Sequence, residues 1–143
     1  QAINLYASLC FFEGTEISVG RGTETQFQIY GAPFLPKTDF SFTPQPNEGA
    51  KYPKYENELC NGYDLTEEPR LKQLNLSYLL NAYHITKDKN NFFLKNGFFT
   101  KLAGTKNLQE QVEAGKTEAE IRASWAEGLK DFNVIRSKYL IYK

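Results

Sequence analysis

Thr117-Glu118-Ala119-Glu120-Ile121-Arg122-Ala123-Ser124-Trp125 carries the clearest start signal in the chain. It spells a capping box, in which the Thr117 hydroxyl accepts from the Glu120 amide while the Glu120 carboxylate reaches back. Ile121, Trp125, Gly128, Phe132, Ile135 and Tyr139 follow at three- or four-residue steps, the period of one helical face. A helix is therefore predicted from Thr117 onward, with Trp125 in its core-facing stripe. Leu140-Ile141-Tyr142 is expected to close the chain as a short strand or a docked tail.

Reading back from that helix, Thr105 as a cap, Leu108, Val112 and Gly115 outline a shorter one. Leu76, Leu79, Leu80 and Tyr83 outline another, at i, i+3, i+4 and i+7. Upstream of Pro69 the pattern changes, and glycines and prolines leave only short segments. Phe27-Gln28-Ile29 and Phe40-Ser41-Phe42-Thr43 alternate as half-buried strands do. Glu58 to Leu65 reads as a strand with Asn61-Gly62 as a turn or bulge. Pro44 to Pro53 reads as an exposed polar loop, and Gly31-Ala32-Pro33 as a turn. Strands first and helices after predict an α+β fold, a small sheet in the first half with helices packed on it from the second.

The chain has 143 residues, with 41% apolar and 24% charged, the composition of one ordinary globular domain. Seventeen basic and seventeen acidic residues cancel, and no basic block stands out. Nucleic-acid binding is disfavoured, because phosphate neutralisation supplies most of its affinity. No apolar run approaches the ~20 residues of a membrane span. Cys10 and Cys60 allow one disulfide without requiring it, and the single His84 completes no zinc set; no metal or organic cofactor is suggested by the sequence. With no Met, and with Gln1 opening directly into an apolar stretch, the chain is expected to be a piece of a longer polypeptide.

Chemistry concentrates in Phe12-Glu13-Gly14-Thr15-Glu16-Ile17-Ser18-Val19-Gly20-Arg21-Gly22-Thr23. Glu13 ends an apolar run, a placement whose partial desolvation suits a general acid. Arg21 stands between two glycines, so backbone can approach a ligand while the guanidinium forks onto an anion. Thr15, Ser18 and Thr23 add hydroxyls suited to a polyol. The competing reading is a structural loop in which Glu13 and Arg21 pair with each other or with backbone. Tyr52 and Tyr55 are further candidates for substrate contact, whereas His84 reads as a surface residue.

The string from Glu13 to Thr23, followed by Gly31-Ala32-Pro33-Phe34, resembles the signature of the NamZ-type exo-β-N-acetylmuramidases. Further matches run in the same order. They are Phe42-Thr43-Pro44, Lys54-Tyr55, Glu58-Leu59-Cys60-Asn61-Gly62, Phe99 to Thr105, Glu113 to Lys116, Glu120 to Trp125 and Lys138 to Tyr142. The resemblance implies that residues 1–143 are the C-terminal, cleft-forming domain of a two-domain glycosidase. An N-terminal Rossmann-like domain would be its partner on the same polypeptide, and the isolated domain would be inactive. The activity implied is release of terminal N-acetylmuramic acid from the non-reducing end of cell-wall fragments, in peptidoglycan recycling outside the cytoplasm. On this reading Glu13 is the catalytic carboxylate the chain supplies, and Arg21, Thr15, Thr23, Ser18 and Tyr55 contact the muramyl glycan. The alternative is a non-catalytic module that binds cell-wall glycan.

Overall fold

In the computed structural model, which describes residues 1–142, the chain opens with a helix, α1 (Ala2–Leu9). The initial apolar stretch is thus helical, with Leu5 and Leu9 completely buried and Ile3 and Tyr6 facing out. A 3₁₀ turn at Cys10–Gly14 follows and buries Phe11 and Phe12. Three strands form the sheet: β1 (Ile29–Ala32), β2 (Phe40–Phe42) and β3 (Cys60–Asp64). Their order is β1-β3-β2, antiparallel throughout. The remaining helices are α2 (Ser77–Ile85), α3 (Phe98–Ala103), α4 (Asn107–Glu113) and α5 (Glu118–Arg136). The architecture is α+β, a small sheet in the first half with the helices mostly from the second.

Two strand boundaries differ from the sequence reading. Phe27 is not in the first strand: its φ is 57°, and its amide donates to the Val19 carbonyl to close the loop before β1. Gly31 and Ala32 belong to that strand rather than to a turn. Asn61-Gly62 likewise forms no turn or bulge but lies inside β3, with Gly62 opposite Gly31. The reason is close approach. A Cβ on Gly62 would stand 2.0 Å from the Tyr30 carbonyl oxygen, and one on Gly31 would stand 2.4 Å from that of Asn61. The glycines serve sheet pairing here, not chain reversal.

The main core gathers Phe12, Tyr30, Leu76, Leu79, Phe92, Phe99 and Ile121. Phe12 stacks on Tyr30 at 4.8 Å, and Phe93 meets Phe99 edge-on at 4.7 Å. Burial pushes the Tyr30 hydroxyl up to about 12. Cys60 is fully buried and free, its thiol pushed up to about 12 by burial and then by Glu58, and Cys10 is free as well. Cys60 therefore packs as a small hydrophobe.

The capping box of α5 is present, with Thr117 N donating to Glu120 Oε2 at 2.8 Å and Glu120 N to Thr117 Oγ1 at 3.3 Å. Gly115, at φ 71°, ends the turn after α4 as expected. The chain terminus departs from expectation. Ile141 and Tyr142 are 89% and 87% exposed and join no strand, and the stripe of α5 beyond Trp125 lies open.

Two glycine substitutions should move stability in opposite directions. Gly62→Ala must push Tyr30 away and should cost more than about 2 kcal/mol. Gly128→Ala, inside α5 with nothing within 4 Å of the added carbon, should stabilise by about 0.5–1 kcal/mol. Urea unfolding of both variants checks the contrast.

Candidate functional site

The loop from Glu13 to Thr23 is held by buried residues along most of its length. Ile17 and Val19 are buried, and Ser18 pairs with Gly31 through reciprocal backbone hydrogen bonds of 2.8 and 3.0 Å. On its other flank, the Glu16 amide donates to the Phe92 carbonyl at 2.8 Å and the Leu94 amide to that of Gly14 at 3.0 Å. The loop thus bridges the β1 edge and the 92–94 segment.

Arg21 is placed by its neighbours. Gly20 and Gly22 have φ of 74° and 84°, a region that strains any other L-residue. A side chain at Gly20 would strike Ile29, and one at Gly22 would strike Pro53. This backbone sends Arg Nη2 to within 2.7 Å of Glu13 Oε1. The guanidinium also lies 5.0 Å from the centroid of the Phe27 ring, which packs on Tyr6. The two side chains are 47% and 24% exposed for Arg21 and Glu13. An ion pair so exposed contributes about 0–1 kcal/mol, which a ligand anion can replace.

Thr15 and Ser18 are placed differently from the two charged residues. Thr15 is completely buried; its hydroxyl donates to the Phe12 carbonyl at 2.9 Å and accepts from the Ile17 amide at 3.1 Å. Ser18 is also buried, and its hydroxyl accepts from the Gly20 amide at 3.2 Å. Both hydroxyls build the loop and neither is offered to a ligand in this arrangement. Thr23 lines a hollow of about 300 Å³ between Arg21–Gln26 and Asn47–Ala50, although its hydroxyl donates to the Gly20 carbonyl at 2.7 Å. The far wall of that hollow is the Pro44–Pro53 loop, tied down by the Gln45 amide on the Gly22 carbonyl at 2.8 Å.

Tyr55 has φ 61°, an unusual conformation for a bulky residue. Its hydroxyl donates to the Glu16 carbonyl at 2.7 Å, and its ring meets Phe34 edge-on at 6.5 Å. Tyr55, Phe34 and Glu16 form one side of a second hollow of about 450 Å³, with Lys87, Asp88 and Asn91 on the other. Glu13 lines neither hollow. Tyr52 is 92% exposed, and His84 is a surface residue.

Lys54 is the residue the sequence reading passed over. Its Nζ donates to the Thr15 carbonyl, and burial lowers its pKa while the nearby Glu16 and Glu13 carboxylates pull the other way. Consecutive side chains, Lys54 and Tyr55, thus grip consecutive carbonyls of the candidate loop. The only sequence signal was the Lys-Tyr pair itself. Among the described residues no cluster of three or more His, Cys, Asp or Glu could hold a metal ion, and no helix is long and apolar enough to cross a membrane.

Fold and loop together define the class: a small α+β domain presenting a carboxylate–guanidinium pair on a glycine-shaped rim. The family model for the C-terminal part of exo-beta-N-acetylmuramidase NamZ matches residues 4–142, and the chain belongs to that family. The peptidoglycan beta-N-acetylmuramidase NamZ of Bacillus subtilis is 30% identical to it, over 96% of this chain and 37% of that protein. A crystal structure of a DUF1343 family protein from Bacteroides fragilis superposes with a TM-score of 0.92 at 40% identity, covering 99% of this chain and 41% of that one. A second DUF1343 family protein from the same organism, at 15% identity and a TM-score of 0.65, shares the fold. The chain spans less than half the length of these relatives.

Lys54 gives the site a pH signature. In the folded chain its proton is lost below the ordinary value of 10.5, whereas the unfolded chain keeps it until then. Within that window the unfolded state binds more protons, so the contribution of Lys54 to stability rises with pH and levels off above 10.5. The stability difference between wild type and Lys54→Met, followed by urea unfolding across alkaline pH, should therefore shift in favour of wild type.

Proposed function

We propose that this chain is the C-terminal part of a glycoside hydrolase that releases terminal N-acetylmuramic acid from the non-reducing end of peptidoglycan fragments. It supplies one wall of a cleft whose other wall is an N-terminal, Rossmann-like part of the same polypeptide. Family membership supports the class of activity. The single observation that carries the site is the convergence of Glu13 and Arg21 at 2.7 Å on a rim fixed by Gly20 and Gly22. On this reading the protein works outside the cytoplasm.

Most glycosidases need two carboxylates flanking the scissile bond, one to protonate the leaving oxygen and one as nucleophile or base. Glu13 is the carboxylate of this chain, and its counterpart belongs to the N-terminal part. Arg21 has a different task. Muramic acid differs from glucosamine by a lactyl ether that ends in a carboxylate, and a guanidinium is the group that recognises such an anion bidentately. A weak, half-exposed ion pair suits that task, because the lactyl carboxylate can take Arg21 from Glu13 at small cost. The exchange frees the Glu13 oxygens for the sugar. Tyr55 and Phe34 add an aromatic wall suited to a pyranose face.

A second reading makes the chain a glycan-binding module without catalysis, and it draws on one fact: Glu13 lines neither hollow. Glu13→Gln in the full-length protein separates the two. As a catalytic carboxylate, its loss should reduce turnover by about 10²–10⁴-fold while substrate still binds. In the module reading affinity changes and turnover does not. Arg21→Lys should erode the preference for muramyl over glucosaminyl substrates by about 10²-fold, the equivalent of about 2–3 kcal/mol for a lost bidentate contact. Equal weakening of both substrates would make Arg21 structural.

A further inference from the structure

Helix α5 outruns the core it belongs to. Its first turns are anchored: Ile121 is completely buried, Trp125 packs against the core, and the Arg122 guanidinium holds both Glu118 and the Leu74 carbonyl. From Gly128 onward the same stripe continues, and every described residue of this half is exposed. Leu129, Phe132, Ile135 and Tyr139 are 54%, 57%, 54% and 79% exposed. Scattered apolar residues on a surface need no explanation, but one continuous helical stripe does. Packing also matters to the helix itself, since most helical stability in proteins comes from tertiary packing of an apolar face.

We propose that the second half of α5 is the docking surface for the N-terminal part of the parent polypeptide. This rests on the two-part reading given above, though not on its chemistry. Three observations select that occupant. The matched family is that of a C-terminal part, and the chain covers only 37% and 41% of its relatives, so more than half of each is available to cover the stripe. Helix α1 is also tied to the same strap as the start of α5. Gln1 bonds the Leu65 and Glu68 carbonyls, Asn4 bonds Pro69 and Leu71, and Ser8 bonds Asn75. Arg122 of α5 holds Leu74 of that same strap, so α1 and α5 both bind it. Finally, α1 adds apolar surface of its own, with Ile3 95% exposed and Tyr6 51%.

The chemistry of the partner face follows from the stripe. Phe132 and Ile135 call for an apolar pocket. Arg136, one turn beyond Phe132, borders the stripe, so the rim of that pocket should carry a carboxylate there. Gly128 carries no side chain and lets a partner element approach the helix closely.

The test uses the full-length protein and its Phe132→Asp, Ile135→Asp double variant. Both positions are exposed in this domain, so the fold of the domain should survive, and exchange-protected amides of β1 and β3 report on that. Hydrogen exchange by mass spectrometry should show residues 128–139 exchanging about ten-fold faster or more in the variant, together with a defined surface of the N-terminal part. Light scattering should find both proteins monomeric. Unchanged exchange throughout the N-terminal part would overturn the proposal. So would a dimeric wild type that the variant dissociates, since a second copy would then be the occupant. Docking in a wild-type protein without muramidase turnover would support this inference while sinking the enzymatic reading, so the two fail separately.

Discussion

The backbone of Gly31 is the constraint on which the rest of the molecule depends. On one side it pairs with Gly62 of β3, at a distance that admits no Cβ on either residue. On the other it exchanges two hydrogen bonds with Ser18. One residue therefore joins the sheet to the loop that carries Glu13 and Arg21. Any drift of that strand moves the Glu13–Arg21 ion pair with it, and the buried Phe12 and Tyr30, stacked beside this junction, resist the drift. Placing polar chemistry on a segment so anchored limits the conformational entropy lost when a ligand binds.

What the sequence disclosed, and what it withheld, follows from the range of the interactions. The capping box at Thr117 and the stripe through Leu76 and Leu79 are local patterns, and they read correctly. The close approach of Gly31 and Gly62 is non-local. From sequence alone, Asn-Gly is the commonest signal for a tight turn, and only the strand opposite makes it a strand interior. Helix α1 was hidden because an almost unbroken apolar run has no period to read. Helix α3, at six residues, is too short to show one.

The loop residues divide on the same principle. That Glu13 and Arg21 are unusual is visible from the glycines and hydrophobes around them. Their meeting at 2.7 Å is not, and neither is the withdrawal of the Thr15 and Ser18 hydroxyls into the backbone of the loop. Lys54 lies 39 residues from the carbonyl it holds, a distance across which no spacing argument reaches. The unburied stripe of α5 has the opposite character. Its helix was fully legible, but a sequence pattern states only that an apolar face wants cover, never which surface provides it. The domain thereby has two unlike surface features, a polar rim whose charges are paired and an apolar helix without cover.

The loop from Glu13 to Thr23 is part of the folded core rather than a mobile appendage. Native-state hydrogen exchange at the Ser18 and Gly31 amides, each bonded to the other residue's carbonyl, tests this directly. Both amides should exchange only through global unfolding, with the same free energy as the amides of β3. Exchange of this pair through a local opening, while β3 stays protected, would contradict it.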